Sequence, residues 1–204
     1  WIGFYHRKGD PAFWHISDAQ VLFKFVREER YVPTVDRILN SEGLSIPTKN
    51  RIAKSGTSKK RIVYSLPEDE AIVLKLLTWL MIRKYDWFFA DNLYSFRPRY
   101  GAVDAIKRLS SNRKILHCYS YKLDVRNYFN SIDVELLLPV LEQLFADDQP
   151  LYDFLASQLS DPRVIDNGEI VEEQKGAMAG MPYAGFFANV FLAKLDREFE
   201  RNDD

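Results

Sequence analysis

The sequence of 204 residues contains little cysteine and histidine, and this scarcity excludes several kinds of fold and site. The single cysteine, Cys118, excludes an internal disulfide framework and a cysteine-based zinc site. The longest apolar run, residues 71–82, contains Lys75 and is too short to span a bilayer. The three histidines are scattered along the chain and make no metal-binding cluster: His6, His15 and His117. We therefore expect a soluble, cytoplasmic protein.

The net charge is −1, but the charged residues are unevenly distributed along the chain. Residues 1–141 hold 23 Lys and Arg against 15 Asp and Glu, a net +8, and residues 142–204 hold 5 against 14, a net −9. The densest basic stretch, residues 49–61, contains no acid. Phosphate is the natural partner of such a stretch. A charged hairpin that only faces solvent is the alternative that charge alone leaves open.

Hydrophobic periodicity and turn residues predict helices together with two hairpins. The first hairpin covers residues 51–64, with its turn at residues 55–58, and the second covers residues 164–171 around an Asp-Asn-Gly turn. Pro67, followed by three acidic residues, predicts the start of a long helix. The predicted helices are residues 17–29, 35–39, 67–85, 102–109, 134–145, 152–159 and 186–201.

One carboxylate, Asp124, stands out because of the residues around it. Residues 115–125 are rich in apolar, aromatic and β-branched side chains, which predicts a buried strand. A charge at the end of such a strand is costly unless it meets a cation or faces a cleft. With the carbonyl of Val125, Asp124 would be half of a magnesium site for two-metal phosphoryl transfer, which needs a second carboxylate close in space. A cap or turn is the ordinary alternative.

Other residues suit a bound nucleotide. Lys54 and Arg61 flank the turn of the first hairpin, from which we expect both to be able to reach a triphosphate, Arg61 as a planar fork and Lys54 as a point charge. Phe129, five residues after Asp124, is spaced to lie under a nucleotide sugar and exclude a 2′-hydroxyl, although position alone favours a core aromatic. Three glycines precede the last helix and allow the backbone to approach a base pair, but glycines there are often structural: Gly176, Gly180 and Gly185.

Four blocks of sequence follow one another within residues 45–200. Residues 52–56 with Lys60-Arg61-Ile62 form the first, and the segment Asn-Leu-Tyr-Ser-Phe-Arg-Pro at 92–98 followed by Asp104-Ala105-Ile106 forms the second. Residues 122–133 and residues 176–192 form the third and fourth. In this order they resemble the fingers hairpin, the "YGFRP…DAI" block and the two palm motifs of bacterial retroelement reverse transcriptases, the group II intron type most of all. The second block is the most specific match.

The resemblance implies an α+β fold, with a helical, basic fingers region in residues 1–112 and a partial palm, an incomplete antiparallel sheet packed with helices, in residues 113–204. It implies an RNA-directed DNA polymerase that uses an RNA template, a DNA primer, dNTPs and two Mg²⁺ ions. The implied metal ligands are Asp124, which is also catalytic, and the Val125 carbonyl. The implied nucleotide-binding residues are Lys54, Arg61, Phe129 and Gly180. The predicted RNA or phosphate contacts are Lys49, Arg51, Lys59 and Lys60, with Arg97 as a phosphate or structural contact.

The chain departs from the family pattern in two ways. Ala179 takes the place of the usual Gln before Gly180, and Ala184-Gly185 the place of a Ser-Pro pair, which suggests a divergent branch such as a retron-like or defence-associated relative. The later aromatic-x-Asp-Asp hairpin, which supplies the other carboxylates, is absent, so we expect a truncated chain that is inactive by itself.

An incomplete palm has an exposed sheet edge and apolar surface, which predicts self-association. Two alternatives to the polymerase remain open. One is an RNA-binding, maturase-type module that assists intron splicing, and the other is a degenerate polymerase-like scaffold for protein partners.

Overall fold

Within the residues that the computed structural model describes, 16–53, 56, 58, 60–98 and 100–201, the chain forms eight α-helices and one sheet of four strands. The α+β class predicted from the sequence is confirmed. The helices are α1 (Ile16–Arg27), α2 (Val32–Leu39), α3 (Glu68–Lys84), α4 (Ala102–Ser111), α5 (Tyr128–Ser131), α6 (Val134–Leu144), α7 (Gln149–Ser160) and α8 (Ala184–Arg201). The strands are β1 (Thr48–Ala53), β2 (Lys60–Ser65), β3 (Arg163–Asp166) and β4 (Glu169–Glu172).

The ends of the helices follow the expected chemistry. Pro67 precedes α3, whose first turn holds three acids and whose last turn holds two bases, as the helix dipole favours. Asp133 caps α6, because its carboxylate accepts hydrogen bonds from the backbone N–H groups of Glu135 and Leu136.

The sheet joins the two hairpins in the order β2-β1-β3-β4. Each hairpin is antiparallel, and the contact between them is parallel at Thr48 and Ile165, so the sheet is mixed. Asn167 and Gly168 make the turn of the second hairpin with φ of 54° and 91°, which suits the tight turns of two-residue hairpins. The hairpins thus bring together strands from both sides of the predicted boundary near residue 112, while the division into two regions stays a prediction.

The hydrophobic core lies mainly among α3, α6, α7 and α8. Phe145, at the end of α6, stacks on Phe186 of α8 and meets Tyr85 edge-on, and all three side chains are buried. The ring centres are 4.9–6.1 Å apart, the range in which aromatic pairs add to the effect of area burial. This core holds the start of α8 and the segment before it. None of the described helices has the length and apolarity needed to cross a membrane.

The predicted strand at residues 115–125 is wrong. Arg113–His117 is a short 3-10 helix, and residues 118–127 have no regular structure. The apolar side chains of this segment face solvent, with Tyr119 94% and Leu123 85% exposed. A strand requires a neighbour that accepts and donates its backbone hydrogen bonds, and no strand of the described chain pairs with this segment. The composition of this segment is typical of a strand, but the segment forms none within the described chain.

Ion pairs join the two hairpins beside their parallel contact. Arg51 donates two hydrogen bonds of 2.6 Å to the carboxylate of Asp166, and Lys49 Nζ lies 3.4 Å from that carboxylate. Lys49 also pairs with Glu173, which accepts a hydrogen bond of 2.7 Å from the Tyr64 hydroxyl. The hydrogen bonds from the Arg51 guanidinium hold the pKa of Asp166 at about 2.

These ion pairs predict a loss of stability in acid. Because the folded pKa of Asp166 is below its unfolded value of about 3.9, its contribution is full above about pH 4 and is lost as the pH falls to about 2. The Arg51→Gln variant should be less stable than the natural chain at pH 7, and the difference should shrink between pH 4 and pH 2. Urea unfolding followed by circular dichroism measures both.

The exposed Arg27 in the last turn of α1 provides the control. The Arg27→Gln variant should show no such convergence with the natural chain in acid. A difference between Arg51→Gln and the natural chain that stays constant down to pH 2 would contradict the coupling to Asp166.

Candidate nucleotide-binding site

The loop of residues 176–183, called the glycine loop below, lies directly on β2. The backbone N–H of Tyr64 donates a hydrogen bond of 2.7 Å to the carbonyl of Ala179. Gly180 has a φ of 99°, and a Cβ there would lie 2.7 Å from the Tyr64 carbonyl oxygen and 3.1 Å from Val63 Cβ. A side chain at position 180 would therefore separate the loop from the strand.

Asn130 ties α5 to both the glycine loop and β2. Its side-chain amide donates to the carbonyl of Ile62 at 3.3 Å, and its amide oxygen accepts from the backbone N–H of Ala179 at 2.9 Å. The backbone N–H of Ala177 donates to the Phe129 carbonyl at 2.7 Å. Sequence reasoning missed this role of Asn130. Its place in the third block, directly after Phe129, was an available signal.

Gly176 brings the start of the glycine loop against α5. Its φ is 54°, and a Cβ would lie 2.5 Å from the Phe129 carbonyl oxygen and 2.7 Å from the carbonyl carbon of Asn130. Both contacts are with backbone, which cannot turn aside as a flexible side chain can. Glycine at position 176 is therefore explained by its close approach to the protein backbone of α5.

Phe129 lies where α5 meets the glycine loop. Its side chain is partly buried, and its ring meets Phe96 edge-on with the ring centres 5.7 Å apart. The neighbouring Tyr128 donates a hydrogen bond of 2.6 Å from its hydroxyl to the carbonyl of Ala188 in α8, and burial raises its pKa to about 12. These contacts hold α5 between the glycine loop and α8. Tyr128 contacts α8, and the Phe129 ring contacts Phe96.

The predicted nucleotide-binding residues lie on elements that contact one another. Arg61 is exposed on β2, directly before Ile62, whose carbonyl accepts the hydrogen bond from Asn130. Phe129 precedes Asn130, and Gly180 rests on the same strand. Lys60 is also exposed, at the first position of β2. Lys54 and Lys59 lie outside the described residues.

Asp124 lies on the exposed, irregular segment that leads into α5. Val125 beside it is 55% exposed, and Asn127, with a φ of 53°, turns the chain into the helix. The expectation of a carboxylate at the end of a buried strand is wrong. Across the described ranges, no three His, Cys, Asp or Glu side chains come together as a metal-binding group. Asp124 and the Val125 carbonyl do not by themselves amount to a magnesium site.

Lys49 and Arg51, both predicted phosphate contacts, have carboxylate partners in the second half of the chain. Lys49, with a side chain 10% exposed, pairs with Asp166 and Glu173, and Arg51 pairs with Asp166 through both terminal nitrogens. A phosphate would have to compete with these carboxylates for the same donors. The prediction that Lys49 and Arg51 contact RNA stays a prediction, and their observed contacts hold the sheet together.

Arg97 is buried, with 6% of its surface exposed. Its Nε donates to Asp86 Oδ1 at 3.0 Å, and its Nη1 donates to the carbonyls of Ala90 at 2.8 Å and Leu93 at 3.2 Å. The guanidinium carbon lies 4.1 Å from the centre of the Tyr100 ring. Of the two roles that the sequence left open, these contacts favour the structural one.

A comparison with known protein families gives a match over most of the chain. The sequence model of the family described as "Reverse transcriptase (RNA-dependent DNA polymerase)" matches residues 52–203. A search of curated proteins gives no match. The matched range covers β1 from Ile52, β2, the four blocks and the glycine loop, and it extends over well more than half of the chain. The chain therefore belongs to the reverse transcriptase family.

Proposed function

We propose that this chain carries the nucleotide-binding part of an RNA-directed DNA polymerase. The enzyme extends a DNA primer with dNTPs, using RNA as the template. The observation that carries the proposal is the junction at which β2, α5 and the glycine loop are hydrogen-bonded to one another. In the proposal, Arg61 and Lys54 hold the triphosphate, Phe129 lies against the sugar and Gly180 lies near the templating base pair. The family membership and the exposure of Arg61 support these assignments.

The geometry supports a steric role for Phe129. Its backbone is held by the hydrogen bond from Ala177 and by the close packing of Gly176, and its ring is in contact with Phe96. An aromatic ring held in this way has little freedom to make room for an extra hydroxyl group. We therefore expect the Phe129 ring to exclude the 2′-hydroxyl group and so to discriminate against ribonucleotides.

We propose that Asp124 and the carbonyl of Val125 contribute ligands to magnesium in the complete enzyme. When bound, magnesium neutralises and orients the phosphates of the incoming nucleotide. The described residues hold no complete group of ligands, and in the proposal further carboxylates complete the site. The 204-residue chain on its own is therefore proposed to be inactive.

The test is template-primed synthesis by the natural full-length protein, on an RNA template with a DNA primer and all four dNTPs. We expect incorporation that depends on the template and on magnesium. A full-length protein that is folded yet incorporates no nucleotide would contradict the proposed function. Template-directed incorporation by the purified 204-residue chain would contradict only its proposed inactivity.

The RNA-binding, maturase-type alternative and the scaffold alternative receive less support. The basic stretch was the argument for RNA binding, and two of its cations, Lys49 and Arg51, are paired with carboxylates. No observation on the described residues favours the group II intron type over another branch of the family. We therefore assign the proposed activity at the level of the family.

The exposed segment before α5 supports the proposal that the 204-residue chain self-associates. Four of its apolar residues alternate along the chain, as in a strand, and are exposed: Tyr119, Tyr121, Leu123 and Val125. Replacing Tyr121 and Leu123 by Ser and Lys should shift the chain towards the monomer, since it removes apolar area and adds charge. Multi-angle light scattering over a range of concentrations measures this. A natural chain that remains monomeric at high concentration would contradict the proposal.

A further inference from the structure

Phe96 is an exposed aromatic residue in an uncommon backbone conformation. Its φ is 54°, a value that residues other than glycine adopt rarely, and 56% of its surface is exposed. It belongs to the loop between the 3-10 turn at Asp86–Phe88 and α4, next to the buried Arg97 that anchors this loop. A large, partly exposed apolar side chain thus lies beside an anchored residue of this loop.

The Phe96 ring fits against the start of α8 because position 185 has no side chain. A Cβ on Gly185 would lie 2.6 Å from both Cγ and Cδ1 of Phe96 and 3.1 Å from its Cβ. Gly185 has no left-handed φ that would require glycine. It lies in the first turn of α8, where alanine would favour the helix. Contact with Phe96 is the feature of the structure that accounts for glycine at this position.

The same ring is in contact with Phe129. The two rings meet at an interplanar angle of 81°, the edge-to-face geometry that aromatic pairs prefer. Phe96 therefore contacts both Gly185 and Phe129. The Phe129 ring cannot move towards Phe96 without displacing it.

We propose that Phe96 is a positioning residue for sugar selection, which holds the Phe129 ring in the orientation that excludes a 2′-hydroxyl. The inference rests on the proposed function, in which Phe129 lies against the nucleotide sugar. Gly185 contributes to the same positioning, because the absence of a side chain there leaves the space that the Phe96 ring occupies. Loss of the Phe96 ring leaves Phe129 free to turn aside, and ribonucleotides are then accepted more readily.

The contact itself is tested in the 204-residue chain, without any need for activity. Gly185→Ala should lower Tm while Phe96 is present, because the new methyl group displaces the ring. In a Phe96→Ala background the same change should leave Tm unchanged or raise it, because alanine favours the helix. Equal effects of Gly185→Ala in the two backgrounds would overturn the proposed packing.

The functional consequence is tested in the natural full-length protein by comparing kcat/KM for a dNTP and for the matching rNTP. Phe96→Ala should reduce the preference for the dNTP by about two- to tenfold, the range expected for an aromatic pair. Gly185→Ala should have a similar effect, and Phe96→Tyr, which keeps the ring, should preserve the preference. Phe23→Ala, which removes an exposed ring on α1, should change nothing.

The outcomes separate the inference from the function on which it rests. An active protein whose Phe96→Ala variant keeps the natural preference for dNTPs would overturn the inference and leave the proposed function intact. A folded natural protein without nucleotide incorporation would overturn both. A fall in kcat/KM that is equal for the two sugars would show that Phe96 only supports the structure, and this would also overturn the inference.

Discussion

The Asp124→Asn variant of the natural full-length protein is expected to extend a primer about a thousandfold more slowly than the unaltered protein. Asparagine has the same shape as aspartate but carries no negative charge, and Mg²⁺ prefers charged oxygen ligands. Metal-ion stabilisation of the developing charge contributes several kcal/mol to the lowering of the barrier, and each 1.36 kcal/mol is a factor of ten in rate. Primer extension with single-turnover sampling measures the loss.

Stability should be unaffected by the same change. Asp124 is exposed on an irregular segment, and substitutions at such positions usually change the free energy of unfolding by less than about 0.5 kcal/mol. Asp36→Asn, which alters an exposed carboxylate on α2, is the matched control and should leave both activity and stability unchanged. Retention of more than a tenth of the activity by Asp124→Asn would remove this residue from the proposed metal site.

The Arg97→Ala variant is expected to be less stable by about 3 kcal/mol, because it removes a buried cation and leaves its partners unsatisfied. Asp86 would lose its ion pair, and the carbonyls of Ala90 and Leu93 would lose their donor. For a chain of this size the change corresponds to a fall in Tm of about 6–12 °C. Differential scanning calorimetry of the 204-residue chain measures it.

The Arg97→Lys variant separates the contribution of the planar guanidinium hydrogen bonds from the contribution of the positive charge. Lysine keeps the charge but cannot donate to Asp86 and Ala90 in the same planar arrangement, so an intermediate loss is expected. Arg27→Ala on α1, where the side chain is exposed, is the control and should have little effect. Unchanged stability of Arg97→Ala combined with weaker RNA binding would favour the phosphate-binding role over the structural one.

Local patterns were sufficient to predict most of the secondary structure. Pro67 and the acids after it predicted the start of α3, and the Asn167-Gly168 turn predicted the second hairpin, because both signals act within a few residues. The predicted strand at residues 115–125 failed, because its formation depends on a partner strand. Alternating hydrophobicity indicates which face a strand would bury, but it does not show which other strand would pair with it.

The sequence by itself determined the family, the two hairpins and seven of the eight described α-helices, since these depend on residue order and on short-range propensity. The short helix α5 was not predicted. The tertiary structure alone decided how the candidate site is assembled. Asn130 connects β2 with the glycine loop, and Phe96 reaches Phe129 across Gly185. It also decided that Lys49 and Arg51 meet carboxylates from the second hairpin, more than a hundred residues away. Contacts between segments so distant along the chain depend on packing, for which no local pattern in the sequence gives the geometry.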